Sequence, residues 1–182
     1  MTRPAGISGW CSKWRLVTLR ELACVTFLLT LSAVASAQTA SQIVTWKGSL
    51  NSATPLRSGE KITAHLKATI KSGWHVYSIS QLPGGPSPTI IGVPDGQFLS
   101  VAGTILGPLP REAYDPNFDM KTAFYEHSAA FKVPLEVTPT AMPGAGKIVI
   151  KVRFQTCNDT ICLPPSTVEV PLAFRVAASS GP

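Results

Sequence analysis

Cysteine is scarce in this sequence, and acidic residues and the motifs of hydrolytic enzymes are scarce too. Two of its four cysteines, Cys157 and Cys162, lie beyond the first 37 residues, whereas Cys11 and Cys24 precede that point. There is no nucleophile-elbow motif and no motif-like pair of carboxylates, so a hydrolase has no support. Helical periodicity is almost absent after residue 40, and recurrent prolines exclude long helices.

Residues 1–37 are predicted to be a signal peptide. An apolar run, LACVTFLLTLSAVA, follows four basic residues and precedes the small residues Ala-Ser-Ala at 35–37. We therefore expect cleavage before Gln38 and export to the periplasm. A retained membrane anchor is the alternative, although the run is shorter than the ~20 apolar residues that a bilayer span needs.

Removal of this leader lowers the net charge of the chain. The whole chain has 16 basic and 10 acidic residues, and the leader contains four of the basic residues and one of the acidic residues. The rest of the chain therefore has 12 basic and 9 acidic residues, a net charge of +3. The remaining lysines and arginines are scattered along the chain, whereas a nucleic-acid interface needs a basic stripe. We therefore expect no nucleic-acid partner.

The rest of the chain predicts one all-β domain over 38–178, with a short tail at 179–182. In KITAHLKATI and GKIVIKVRFQT every second residue is apolar, which is typical of strands with one buried face. Two further runs, AAFKVPLEV and TVEVPLAFRV, contain prolines that indicate an edge position or a bulge. Seven to nine short strands favour an immunoglobulin-like antiparallel β-sandwich. The predicted strands are 43–50, 61–70, 74–79, 88–93, 98–105, 129–137, 146–156 and 167–176.

Residues 107–123, GPLPREAYDPNFDMKTA, do not share this alternation. They are polar and contain prolines, yet they carry Tyr114, Phe118 and Met120. Loops of this length without structure of their own are usually functional or disordered. We expect an irregular loop whose apolar side chains pack onto the domain.

The spacing of Cys157 and Cys162 suits a tight β-hairpin with Asn158 and Asp159 in its turn. Cysteines that face each other across antiparallel strands come close enough for a disulfide. Such a bridge would constrain the unfolded chain little because its loop is short, and exposed or strained bridges are the labile, reactive ones. A redox pair and a local structural disulfide therefore both remain open.

A metal site is a third interpretation of the two cysteines. Structural zinc takes four ligands, and the histidines of the predicted domain show no ligand-like spacing; they are His65, His75 and His127. Two thiolates can nevertheless bind copper(I), so a copper(I) chaperone stays a minor alternative.

Three stretches of the sequence carry a family resemblance. They are GWHVYSISQLPGGPSPTII, NFDMKTAFYEHSAAFKVPL and VRFQTCNDTICLPPSTVEVPL, and the most specific part is the pattern aromatic-x-x-Cys-x-Asp-x-x-Cys-x-Pro-Pro. Together they resemble the N-terminal periplasmic domain of the thiol:disulfide interchange protein DsbD, over most of residues 43–176. The resemblance implies an immunoglobulin-like sandwich that carries electrons by thiol–disulfide exchange.

Roles for individual residues follow from the resemblance. It implies that Cys157 and Cys162 are the redox pair, in which Cys162 forms mixed disulfides with partners and Cys157 resolves them. The stretch NFDMKTAFY matches a cap loop whose phenylalanine shields the cysteines, which implies this role for Phe118. Flanking aromatic residues map to His75 and Tyr77, and His75 departs from the pattern because the family has an aromatic hydroxyl there.

The resemblance also implies a protein-disulfide reductase type of activity without cofactor, metal or small-molecule substrate. The partners would be thioredoxin-fold proteins, among them disulfide isomerases and cytochrome c maturation factors. A separate membrane protein would supply electrons, since DsbD continues into a membrane conduit and a thioredoxin-like domain and this chain stops at Pro182. A secreted immunoglobulin-like binding module with a local structural disulfide is the main alternative.

Overall fold

The computed structural model describes residues 38–52 and 55–178. The predicted signal peptide, with Cys11 and Cys24, and the predicted tail lie outside these residues, so the domain limits stay predictions. In the described part of the chain, no helix has the length and hydrophobicity that crossing a bilayer requires. The chain there forms a short helix, α1 (Ala40–Ile43), and eleven strands. The strands are β1 (Val44–Leu50), β2 (Lys61–Ile70), β3 (His75–Tyr77), β4 (Ile90–Gly92), β5 (Leu99–Val101), β6 (Arg111–Asp115), β7 (Met120–Glu126), β8 (Ser128–Val137), β9 (Gly144–Phe154), β10 (Thr156–Cys157) and β11 (Ser166–Val176).

The strands pair antiparallel in three sheets. Sheet 1 has the order β1-β2-β8-β5, sheet 2 the order β11-β9-β4, and sheet 3 the order β10-β3-β7-β6. Each of the eight predicted strands overlaps an observed one. Alternation along the sequence was therefore a sound guide to sheets 1 and 2.

Sheets 1 and 2 share one hydrophobic core. The predicted inward residues of β9, which include Ile148, Val152 and Phe154, are completely buried, and Leu66 of β2 and Phe131 of β8 join the same cluster. Burial of each such side chain contributes about 1.5–3 kcal/mol relative to exposure. The predicted all-β, immunoglobulin-like antiparallel sandwich is confirmed.

Sheet 3 uses its two faces differently. Val76 of β3 and Tyr125 of β7 are buried in the main core, where the ring of Tyr125 packs 5.5 Å from that of Phe131. The opposite face carries a second, smaller cluster that contains Tyr77 and Cys157. Because successive side chains of a strand point to opposite faces, one sheet closes the core and also presents a separate surface.

The prediction of an irregular loop at 107–123 is wrong. This region contains β6 and the start of β7, which form a hairpin around a four-residue turn at 116–119. Charged residues interrupt the apolar–polar alternation of these two strands. They form ion pairs across the hairpin, Glu112 with Lys121 at 2.7 Å and Arg111 with Glu126 at 2.8 Å.

The two strand prolines occupy different positions. Pro171 lies in β11 at the edge of sheet 2, as predicted, whereas Pro134 lies in β8, between β2 and β5. The carbonyl of Pro134 accepts a hydrogen bond from Ala102 on the β5 side. The N–H and C=O of one strand residue point to the same side, so the N–H that a proline lacks would also face the β5 side. Because β5 ends at Val101, no strand residue there needs this donor, and a proline is tolerated in a central strand.

Candidate functional site

The candidate site is built on one face of sheet 3, which we call the site face. It is defined by Cys157 of β10, His75 and Tyr77 of β3, Thr122 and Phe124 of β7, and Asp115 of β6. Cys157 lies directly opposite His75, and Tyr77 lies opposite Phe124. Directly opposed residues project to the same face of a sheet, so four short strands bring these side chains together.

Cys157 and Cys162 form a disulfide with a Cα–Cα distance of 4.1 Å. The residues between them, 158–161, are named the cysteine loop. The side-chain Oδ1 of Asn158 accepts hydrogen bonds from the amides of Thr160 and Ile161, at 2.9 and 2.8 Å, in the manner of an Asx turn. The predicted hairpin turn is therefore present, and Asn158 is the residue that shapes it.

The two sulfur atoms differ in access. Cys157 is completely buried, beneath Tyr77 and Phe124, whereas Cys162 is partly exposed at the rim of the same cluster. An incoming nucleophile therefore reaches the sulfur of Cys162 more readily than that of Cys157.

Asp115 is a buried carboxylate at the centre of the site face. Its Oδ2 accepts hydrogen bonds from the hydroxyls of Tyr77 at 2.6 Å and Thr122 at 3.3 Å, and its Oδ1 accepts from the backbone and side-chain amides of Asn117. Burial alone would raise the pKa of Asp115, but these hydrogen bonds and the nearby His75 lower it below its ordinary value. Asp115 is therefore ionised at neutral pH.

Tyr77 connects this carboxylate to the disulfide. Its hydroxyl, which donates to Asp115, also lies 3.9 Å from Sγ of Cys162. Burial and the hydrogen bond to Asp115 raise the pKa of Tyr77 far above its ordinary value. Tyr77 therefore keeps its proton and acts as a hydrogen-bond donor.

His75 is buried in the same cluster. Its ring lies 4.6 Å from that of Phe124 and 5.1 Å from that of Tyr77. Its Nε2 lies 4.0 Å from Oδ2 of Asp115, and among the residues that the structure describes it has no hydrogen-bond partner. Burial lowers the pKa of His75, and Asp115, Glu126 and Asp159 offset this shift only in part.

The turn between β6 and β7, residues 116–119, lies against the same cluster as the disulfide and is named the cap turn. The ring of Phe118 packs edge-to-face on Tyr77 at 5.7 Å, in the cluster that includes Cys162. The side-chain amide of Asn117 donates to the carbonyl of Asn158 at 2.9 Å, which joins the cap turn to the cysteine loop. Phe118 therefore packs in the cluster that contains both cysteines, and its shielding role stays a prediction.

All five predicted site residues meet at this place, and the structure adds others that the sequence did not reveal. The additional residues are Asp115, Asn117, Thr122 and Phe124. Asp115 and Asn117 flank a proline in the stretch YDPNFD, and Asp-Pro-Asn is a turn signal that could have located the cap turn. Burial of Asp115, however, depends on contacts with distant strands.

A small cleft of about 140 Å³ opens beside the cysteine loop, and three of its lining residues are acidic. His75 and Asp115 line it together with Glu126 and Asp159, while Arg111 supplies a positive charge. Within the described residues, no cluster of three or more histidine, cysteine or acidic side chains is arranged to hold a metal ion.

Comparison with known proteins identifies the family. The model of the family described as "Thiol:disulfide interchange protein DsbD, N-terminal" matches residues 49–173, more than half of the chain. No curated protein matches the chain.

Solved structures of low identity are also similar. The reduced DsbD N-terminal domain of Neisseria meningitidis is 18% identical, with 76% of this chain and 90% of that chain covered and a TM-score of 0.47. The N-terminal periplasmic domain of ScsB from Proteus mirabilis is 15% identical, with 75% of this chain covered and a TM-score of 0.48, and this chain spans 47% of its length. The assignment rests on the match to the family model: the chain belongs to the family of the N-terminal domain of DsbD, a periplasmic family whose chemistry is thiol–disulfide exchange.

Proposed function

We propose that this protein is a periplasmic electron carrier that works through the Cys157–Cys162 pair. The observation that carries the proposal is the unequal access of the two sulfurs beneath an aromatic cap: Cys157 is completely buried, and Cys162 lies at the rim beside Phe118. A bridge that served only as a local staple would need neither a reachable sulfur nor a cap over it. The short loop also adds little to stability.

Electron transfer to a partner takes two steps. The thiolate of Cys162 attacks one sulfur of the partner's disulfide, and the other partner sulfur leaves as a thiolate. The thiolate of Cys157 then attacks Sγ of Cys162, which releases the reduced partner and forms the Cys157–Cys162 disulfide. Two electrons pass to the partner, and the reverse sequence with a dithiol donor recharges the protein.

The site residues have distinct parts in this scheme. Tyr77 donates its single hydroxyl proton to Asp115 and lies 3.9 Å from Sγ of Cys162, so it can donate to a thiolate that forms there only by turning this proton away from Asp115. Phe118 shields the disulfide from small thiols and moves aside against a partner surface. Phe118, His75 and Tyr77 therefore control access and reactivity, while the two cysteines carry the electrons.

The partners are thioredoxin-fold proteins, which include disulfide isomerases and cytochrome c maturation factors, and a separate membrane protein supplies the electrons. These partners are proposed because family membership points to them. The activity is that of a protein-disulfide reductase and needs no cofactor.

Trapping of a mixed disulfide tests the proposal. The variant Cys157→Ala keeps the reachable Cys162 but cannot release a partner, so it should accumulate a covalent adduct with a purified thioredoxin-fold domain. The matched variant Cys162→Ala keeps only the buried cysteine and should trap little. Adducts are resolved on non-reducing gels and located by mass spectrometry. Equal trapping by both variants, or none by either, would refute the carrier role.

The alternative, a binding module with a structural disulfide, makes a different prediction. Structural disulfides have reduction potentials below about −300 mV and resist biological thiols. Equilibration with glutathione or thioredoxin buffers measures this potential directly. A value above that limit supports the carrier.

A further inference from the structure

Cys157 and His75 form a directly opposed pair across β10 and β3. They are register partners in the antiparallel ladder, and their side chains both project to the site face. Side chains in such pairs have Cβ atoms about 4.5–5.5 Å apart. The imidazole of His75 is therefore the titratable group that the sheet itself places beside the buried sulfur.

The surroundings of Cys157 make a proton acceptor necessary. Cys157 is completely buried, in a cluster with Tyr77 and Phe124. A thiol must lose its proton before it can act as a nucleophile, and an apolar enclosure disfavours the thiolate. Water has little access to this sulfur, so a nearby base is needed when Cys157 resolves a mixed disulfide.

His75 has the properties of such a base. Burial lowers its pKa, so the imidazole is neutral at pH 7 and can accept a proton. Its Nε2 has no hydrogen-bond partner within residues 38–52 and 55–178, and it lies 4.0 Å from the carboxylate of Asp115, which would stabilise the imidazolium once it forms.

The charged groups around His75 come from several elements. Asp115 and Arg111 approach from β6, Glu126 is its register partner on β7, and Asp159 lies in the cysteine loop. Asp115, Glu126 and Asp159 all favour the protonated ring, and Glu126 is also ion-paired with Arg111 at 2.8 Å.

We propose that His75 exchanges the proton of Cys157, an inference that rests on the proposed electron-carrier function. In the resolving step, the neutral imidazole takes the thiol proton of Cys157. The resulting thiolate attacks Sγ of Cys162, the bond between that sulfur and the partner breaks, and the partner leaves as a thiolate with the electron pair. When the protein is recharged, Cys157 leaves the disulfide as a thiolate and is protonated through His75, which takes that proton from solvent in the cleft that it lines.

This role is separate from that of Tyr77. The hydroxyl of Tyr77 lies near Cys162, the other sulfur, and donates to Asp115. A tyrosine keeps its proton at neutral pH, so Tyr77 cannot accept one, whereas the neutral imidazole of His75 can.

The two steps can be separated with 5,5′-dithiobis(2-nitrobenzoate) and the reduced protein. Attack by Cys162 releases one coloured thiolate, and resolution by Cys157 releases the second. We expect His75→Phe, which keeps an aromatic ring against Phe124, to slow the second release by about 10²-fold, the lower end of what a general base contributes. The first release should keep its rate. The wild-type second phase should rise as His75 loses its proton and level off above the pKa of His75, whereas in the variant it should go on rising with pH, because only the thiolate of Cys157 attacks.

Two further variants keep the test decisive. His75→Gln removes the base but keeps a polar side chain. If circular dichroism shows that His75→Phe does not fold, the kinetics of His75→Gln are used instead. His65→Gln, at an exposed position on β2, is the matched control and should behave like the wild type. An unchanged second phase and pH profile in a folded His75 variant would overturn the proposal. Because the assay uses no protein partner, its result is independent of the trapping experiment with Cys157→Ala.

Discussion

The side-chain amide of Asn117 in the cap turn donates a hydrogen bond to the main-chain carbonyl of Asn158 in the cysteine loop, at 2.9 Å. This bond joins two segments that are 41 residues apart in sequence. The cap turn cannot move away from the cysteine loop without breaking this hydrogen bond. Access to the bridge therefore depends on a polar contact as well as on the packing of Phe118.

Asn117→Ala should make the disulfide more reactive toward small thiols. The change removes the side-chain bonds to Asn158 and to Asp115. Loss of the bond to Asn158 alone, about 0.5–1.5 kcal/mol, would raise the open population about two- to tenfold. The rate of reduction by glutathione should rise by the same factor. Asn51→Ala, at an exposed position after β1, is the control and should keep the wild-type rate. Equal rates in all three proteins would show that this contact does not limit access.

Phe118→Ala should expose the disulfide by a different route. An edge-to-face aromatic pair is worth about 0.5–1.5 kcal/mol, so loss of the ring from Tyr77 should speed reduction by small thiols about two- to tenfold. The free energy of unfolding should fall by a similar amount, well short of the roughly 3–5 kcal/mol of a Phe→Ala change in a core, because the cap turn lies outside the main core. Leu109→Ala removes an almost fully exposed side chain and should have no effect on the rate. A slower or unchanged reduction in Phe118→Ala would contradict the shielding role.

Tyr77→Phe should destabilise the folded protein. It removes the 2.6 Å hydrogen bond to the buried carboxylate of Asp115 and leaves an acceptor less well satisfied, at a cost of about 1–3 kcal/mol. Urea unfolding measures this cost. Tyr114→Phe provides the comparison, since that tyrosine also donates to an aspartate, Asp119, but at an exposed position. There we expect a change within about 0.5 kcal/mol.

His75 should make the stability of the protein depend on pH. Its pKa is lowered by burial in the folded state, so below the ordinary value of about 6.5 the unfolded chain binds more protons than the folded one. The free energy of unfolding should therefore decrease as the pH falls from about 6.5 toward the folded-state pKa, and this contribution should become constant below it. Urea titrations at a series of pH values provide the measurement.

The same titrations with His75→Phe should lose this part of the slope, whereas His65→Gln should retain it. Asp115 contributes in a lower range, because its pKa is lowered and its stabilisation disappears only as the pH falls through that value. If the slope near pH 6 were the same in His75→Phe and the wild type, the burial of a neutral His75 would not be its cause.

Sequence alternation predicted the strands of the main core well, and it failed at β6 and β7, two of the four strands that carry the site. Ile148 and Phe154 of β9 alternate with charged residues because one face meets the core and the other meets water. In the hairpin of β6 and β7, however, the buried face includes Asp115 and Thr122, and Asp115 accepts hydrogen bonds from both Thr122 and Tyr77. A pattern of apolar and polar residues cannot reveal a buried polar face, because its hydrogen-bond partners lie on other strands.

The site residues were predictable to the extent that a local motif marks them. Cys157 and Cys162 stand out by their spacing, and the family resemblance located Phe118, His75 and Tyr77. Asp115 carries no comparable local signal, since a carboxylate after a tyrosine and before a proline is an ordinary turn residue. Its burial results from tertiary contacts across sheet 3.

The two faces of sheet 3 have a consequence for how such a protein can diverge. Along β3 the residue that fills the core, Val76, stands between two residues of the site, His75 and Tyr77. Substitutions at the core position of this strand are thus limited by packing, whereas substitutions at the two site positions are limited by their effect on the reactivity of the disulfide. A lineage, or a designer, could retune the redox chemistry by exchanging every second side chain and leave the scaffold that supports it intact.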